Sequence, residues 1–368
     1  MIYFDNAATS FPKPKCVIQE VKRCIEQYCG NPGRSAHRMS LAAADKIFET
    51  REIISDFVGN KNCENIVFTP NATYALNLVI KGLIDKKCHC IISDCEHNSV
   101  IRPLIKSLKK HGGDYSIFNS DLPLNKGIEP LIRDDTDVII STLCSNVTGR
   151  FIKIDELSKI AKRNNLKLIL DASQYLGHSK LNLTNVYYTA LCSAGHKGLF
   201  GIQGSAFAII NDCKLFDTLT EGGSGVDSFS ETMPQLLPER YESGTLPTPA
   251  IVSLGAGIKH ISSIGIDTVE RKIEYLTNIL IDELSAIPNL TLFGANSGIA
   301  SFNLRDLPSS YVSEFLDRNN IATRSGFHCS PLIHKKLGTE ERGAVRVSLS
   351  YFNTENEIYE LIKILRKI

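Results

Sequence analysis

Lys197 stands in the stretch Ser193-Ala194-Gly195-His196-Lys197-Gly198, just after a short apolar run and among small residues. A lysine in that setting can trap a carbonyl as a Schiff base instead of serving as a solvated charge. Asp171 closes the run Lys167-Leu168-Ile169-Leu170. A carboxylate at the C-terminal edge of a strand points into the crevice where parallel sheets gather their ligands. Asn71-Ala72-Thr73 precedes an expected helix, whose free N–H groups and dipole suit a phosphate, and Thr73 adds a hydroxyl donor. Ser193 and His196 are further donors beside Lys197. An imine-forming lysine and an aspartate that protonates a pyridine nitrogen are the pair pyridoxal phosphate chemistry requires.

Cys329 lies in Arg324-Ser325-Gly326-Phe327-His328-Cys329-Ser330-Pro331, a turn punctuated by Gly and Pro. Arg324 and His328 are placed to favour the thiolate, the nucleophilic form of cysteine. A different chemistry competes at Cys88, His89, Cys90, Cys95 and His97, five soft ligands spaced C-x-C-x4-C-x-H. That spacing allows a zinc reading, although the usual C-x2-C pair is missing. On a strand, Cys88 and Cys90 share one face and His89 takes the other.

The elements that must position these residues alternate. Short β-rich runs are expected at 90–92, 138–140, 168–170 and 206–210, with helices at 41–58, 75–84, 98–111 and 155–164. Strands alternating with helices imply βαβ units and a mostly parallel sheet buried on both faces. From residue 250 the pattern changes to one long helix (about 250–286), then strand 299–304, helix 311–318, strands 321–324 and 344–349, and a last helix 355–366. The expectation is an α/β fold: a large domain at 1–249 and a smaller α+β domain at 250–368 carrying the Cys329 turn. The first fifteen or so residues are expected to pack on the small domain.

Lys+Arg number 41 against 40 Asp+Glu, so no large field invites nucleic acid or an anionic membrane. No apolar run approaches the length of a bilayer span, and no secretory signal is visible at Met1–Asp5. The eleven cysteines are odd in number and scattered, which fits thiols in a reducing cytoplasm.

Several motifs in fixed order carry a resemblance. They are Tyr3-Phe4-Asp5-Asn6-Ala7-Ala8-Thr9, Glu96-His97-Asn98-Ser99, Ser145-Asn146-Val147-Thr148-Gly149, Asp171-Ala172-Ser173-Gln174 and Ser193–Lys197. Glu242-Ser243-Gly244-Thr245, Arg324–Cys329 and Val345-Arg346-Val347-Ser348 continue the series. The chain resembles class V aminotransferase-fold enzymes and, among them, the cysteine desulfurase/selenocysteine lyase group. The short loop with His directly before Cys is similar to the SufS-like subgroup.

The resemblance implies pyridoxal phosphate fold type I and conversion of L-cysteine to L-alanine, with sulfur passing to Cys329 as a persulfide. It implies that Lys197 anchors the cofactor, Asp171 pairs with the ring nitrogen, Gln174 bonds the ring oxygen, and His97 stacks on the ring and shuttles protons. Ala72, Thr73, Ser193 and His196 would bind the phosphate, and Thr245 would reach the phosphate of a neighbouring subunit in a homodimer. Asn146 and Arg346 would hold the substrate carboxylate, with Arg324 beside the cysteine. L-selenocysteine is an alternative substrate, and a transaminase or C–S lyase of the same fold would not use Cys329. A chain shorter than typical SufS-like enzymes is expected to have reduced elements for docking a sulfur-accepting protein.

Overall fold

The computed structural model describes residues 1–33 and 35–368. Its central sheet has seven strands in the spatial order 66–69, 206–210, 190–194, 167–171, 136–142, 89–93 and 114–118. All run parallel except Ala206–Ile210, which is antiparallel to both neighbours. Period-two alternation sends successive side chains to opposite faces. Ile91, Ile139, Leu168, Leu170 and Leu191 enter one core, while Cys90, Ile92, Val138, Ile140 and Ile169 enter the other.

Helices close both faces. Ile47, Ile54 and Val58 of helix Arg38–Val58 join the first core, with Leu157 and Ile160 of helix Ile154–Arg163. Leu76 and Val79 of helix Ala72–Leu83 and Val100 and Leu104 of helix Asn98–His111 join the second. Parallel strands buried on both sides must be largely apolar, as the inner ones are; the edge strand 114–118 is mostly exposed or half-buried and mixed in composition.

A four-stranded antiparallel sheet, in the order 324–326, 344–348, 299–304 and 290–296, forms the second body. Phe302, Val345 and Val347 pack there with Leu276, Leu280, Val312, Ile358 and Leu361 from three helices. Phe4 enters the same core, and Ile2–Tyr3 pairs in parallel with Ile321–Ala322. Asn6 ties in behind, donating to the carbonyl of Ser348 at 2.9 Å.

Three sequence expectations change. The single helix over 250–286 is two, Thr248–Ile264 and Ile266–Ser285, bent by 81°. Gly265 between them has φ +87°, which a helix cannot continue through. A domain change at 250 also shifts, because Ile251, Leu254, Ile258 and Ile261 bury in the large body's first core. The strand over 321–324 divides between two sheets, Ile321–Ala322 in one and Arg324–Gly326 in the other. Among the described residues, no single helix is long and apolar enough to cross a membrane.

Candidate active site

Beyond the carboxyl ends of the central strands lies a cavity lined by Lys197, Asp171, His97, Gln174, Asn146, Ala72, Thr73 and His196. The sequence-predicted residues Cys329, Arg324, Arg346, Ser193 and Thr245 are not part of that lining. Asp171 is the last residue of strand Lys167–Asp171, and its Oδ1 accepts from the backbone N–H of Ser173 at 2.9 Å. Lys197 follows strand Ala190–Ala194. Burial lowers its amine from 10.5 to about 8, opposed by the charge of Asp171.

The N-terminal segment fixes the loop that carries the lysine. The carbonyl of His196 accepts from Ser10 N–H at 3.1 Å, Thr9 Oγ1 at 3.1 Å, Ser10 Oγ at 3.2 Å and Lys13 Nζ at 2.8 Å. Burial of Lys13 lowers its pKa to about 8 as well. A Cβ on Gly198 would lie 2.4 Å from the carbonyl oxygen of Leu176, so only glycine lets this loop pack so closely.

His97 caps helix Asn98–His111, its Nδ1 accepting from the Ser99 N–H at 3.0 Å. An amide N–H can only donate, so Nδ1 carries a lone pair and the neutral ring keeps its proton on Nε2. Burial, reinforced by Lys197, pushes this histidine down to about 4. At pH 7 the ring is therefore neutral in the cofactor-free protein and donates from Nε2. Ser99 Oγ lies 2.9 Å from the same Nδ1 and 2.7 Å from Thr73 Oγ1, linking His97 to the start of helix Ala72–Leu83. Asn71 caps that helix, accepting from Tyr74 N–H at 2.8 Å.

Ser173 Oγ, Gln174 Oε1 and His196 Nδ1, all on lining residues, are buried without a partner. Buried polar atoms are nearly always satisfied, so three around one cavity mark the place of a polar ligand. The Gln174 amide nitrogen donates to the Ala7 carbonyl at 2.8 Å, which fixes the side chain there.

The cysteine turn sits at the edge of the small body. Cys329 is exposed, and an Nη2 of Arg324 lies 4.0 Å from its sulfur. Arg324 and Arg346 are directly paired across neighbouring strands. Arg346, almost fully buried, donates to Asp5 Oδ1 at 2.8 Å and to the Asn146 carbonyl at 3.0 Å, leaving Nε without a partner.

Other expectations are corrected. Ser193 is fully buried with its hydroxyl toward the Ala172 carbonyl at 3.5 Å; strand alternation puts Ala194, not Ser193, in the cavity wall. His328 does not act on the thiol: its ring turns inward to His334 at 3.2 Å, and burial keeps it neutral. The zinc arrangement comes apart. Cys88 and Cys90 lie 3.9 Å apart in the core, while His89 points the other way, to Thr136 and Ser116. Cys95 contacts Asp94 and Ser120, and no group of three metal-capable side chains exists among the described residues. Thr245 is exposed on its own loop.

Sequence reasoning missed Ser173, Ala194 and the positioning role of Lys13. Alternation along the lysine strand would have found Ala194, and the Tyr3–Thr9 motif already contained Asp5. Lys13 gives no local signal, since its partner is a carbonyl 183 residues away.

This cavity at the strand ends, with a half-buried lysine and an aspartate in its wall, is that of a lysine-anchored cofactor enzyme. The chain belongs to the aminotransferase class-V family, whose model matches residues 2–361. It is 32% identical to a probable cysteine desulfurase of Pyrococcus abyssi, over 100% of this chain and 94% of that protein. It is 29% identical to a cysteine desulfurase of Wigglesworthia glossinidia brevipalpis, covering 100% and 92%. The apo structure of a cysteine desulfurase from Thermococcus onnurineus superposes with a TM-score of 0.93 at 30% identity, covering 100% and 94% of the two chains.

Proposed function

We propose that this chain is a pyridoxal phosphate-dependent cysteine desulfurase that converts L-cysteine to L-alanine and takes the sulfur onto Cys329. The observation that carries this reading is the placement of Cys329: an exposed thiol beside Arg324, on a turn bonded to Asn146 of the cavity wall. A transaminase of the same fold has no use for such a thiol.

The cavity fits the cofactor through its three unpartnered polar atoms and its lysine and aspartate. Bound there, pyridoxal phosphate supplies an electron sink for negative charge at the substrate α-carbon. Lys197 would hold it covalently, and Asp171 would keep its ring nitrogen protonated. Gln174 would bond the ring oxygen and His97 would pack on the ring. The first-turn amides of Ala72 and Thr73, the Thr73 hydroxyl and His196 suit the phosphate.

Arg346 and Asn146 would bind the substrate carboxylate, Arg346 through donors not spent on Asp5 and the Asn146 carbonyl. The Lys197 Nζ, once free, is the base for the α-proton, and its lowered pKa leaves a usable neutral fraction near pH 7.5. Cys329 Sγ then attacks the substrate sulfur. An S–S bond forms, the Cβ–S bond breaks, and the electron pair left on carbon is taken up with a proton as alanine forms. L-cysteine plus the Cys329 thiol thus gives L-alanine plus a Cys329 persulfide, with no outside oxidant.

The active form in this reading is a homodimer, with Thr245 reaching the neighbour's phosphate. An acceptor thiol would take sulfur from the exposed Cys329, and eleven free cysteines among the described residues suit a reducing cytoplasm. The test is to incubate the holoenzyme and its Cys329→Ser variant with L-cysteine and measure alanine and persulfide. The variant is expected to keep the cofactor absorbance and lose both products. Unchanged sulfide release by the variant, with pyruvate and ammonia in place of alanine, would assign the chain to the C–S lyases.

A further inference from the structure

The cysteine turn is gripped from the large body at three consecutive residues. The Asn146 Nδ2 donates to the carbonyl of His328 at 2.8 Å, and its Oδ1 accepts from Ser330 Oγ at 2.6 Å. The N–H of Asn98, next to His97, donates to the carbonyl of Cys329 at 2.7 Å. Both Asn146 and Ser330 are buried, so these bonds form away from competing water.

The grip opposes a conformational cost. His328 and Cys329 have φ of +50° and +56°, two successive non-glycine residues in the left-handed region. Such residues persist only where surrounding contacts over-determine them. His334 holds the ring of His328 from within the small body, and the Ser330 N–H closes the turn on the Phe327 carbonyl at 2.9 Å. Among the described residues, the only side chain that reaches across from the large body to hold these carbonyls is the amide of Asn146, itself part of the cavity wall.

We infer that Asn146 and Ser330 are positioning residues for sulfur transfer: the Asn146 amide clamps the turn so that Cys329 is registered against the cavity that holds the substrate. This inference rests on the desulfurase reading above. Asn146 uses Oδ1 and one Nδ2 hydrogen for the clamp, and its second Nδ2 hydrogen is free for a substrate carboxylate. One amide therefore spans both the amino acid and the loop that attacks it. Ser330 touches neither the cofactor nor the reacting atoms and acts on them only through Asn146 and the turn.

The test is single turnover of the Ser330→Ala holoenzyme with L-cysteine. The cofactor absorbance change reports amino-acid engagement, and quenched mass spectrometry reports persulfide on Cys329. Engagement is expected within about twofold of wild type, with persulfide formation slowed roughly 10-fold, as for a misplaced reacting group. Wild-type persulfide rates in Ser330→Ala would overturn the clamp. So would equal slowing of both phases, which marks general damage. Wild-type protein that engages L-cysteine but never forms persulfide would overturn the desulfurase reading itself.

Discussion

Replacing Lys197 with Met in the cofactor-free protein should make it more stable at neutral pH. Burial has lowered the Lys197 amine from 10.5 to about 8, so below pH 8 the folded chain holds a desolvated charge. In the unfolded chain the lysine titrates near its ordinary value. Between the two values the unfolded state binds more protons, so stability rises as pH goes from about 8 to about 10.5. At about 1.4 kcal/mol per pH unit, the penalty at pH 7 is about 3 kcal/mol. Lys197 keeps some solvent contact, so the measured gap lies at or below that value. A chain of 368 residues unfolds with an entropy near 0.8 kcal/mol per kelvin, so the variant should melt up to about 4 °C higher at pH 7. Calorimetry on the cofactor-free pair across pH 7 to 10 checks this. The gap should close with rising pH, and a gap that stays constant would refute the reasoning.

The Arg51–Glu242 pair is buried at 2.6 Å, and Glu242 also accepts from the Phe68 N–H at 2.6 Å. Glu242→Ala should cost about 3–5 kcal/mol because it strands a buried guanidinium, whereas Arg51→Met with Glu242→Leu should cost far less, as urea titration of all three will show. Gly149→Ala would set a Cβ 1.9 Å from the Asn296 carbonyl oxygen at a φ of +69°; we expect a loss above about 2 kcal/mol, measured by thermal melting. The His97 ring should titrate near 4 in the cofactor-free protein, so its NMR signals should not move between pH 6 and 8; a midpoint near 6.5 would show that burial does not hold the ring neutral.

The strands at 89–93, 136–142, 167–171 and 206–210 and the helices at 38–58, 72–83, 98–111 and 154–163 were legible because their signals are local, whereas the strands at 66–69, 114–118 and 190–194 were not anticipated. The run Ala206–Ile210 is apolar throughout, and helix Asn98–His111 ends at a left-handed glycine. The lysine, aspartate and Asn71–Thr73 cluster were legible because each sits at a strand end or helix start. What stayed hidden depends on direction or distance. His328 adjoins Cys329 in sequence, yet its ring is taken by His334. Ser193 and Ala194 differ by one residue, and the pleat decides which one faces the cavity. The clamp between Asn146 and Ser330 joins residues 184 apart, and nothing in either local stretch announces it. The break at Gly265 was missed because helical periodicity resumes at once beyond it, in a new direction.

The N-terminal segment is a strap between the two bodies. Ile2–Tyr3 pairs with Ile321–Ala322, and Asn6 bonds Ser348 and Asn353 of the small body. Residues 9–13, directly after it, brace the lysine loop. A shift of one body against the other is therefore carried along the covalent chain into the loop that holds the lysine.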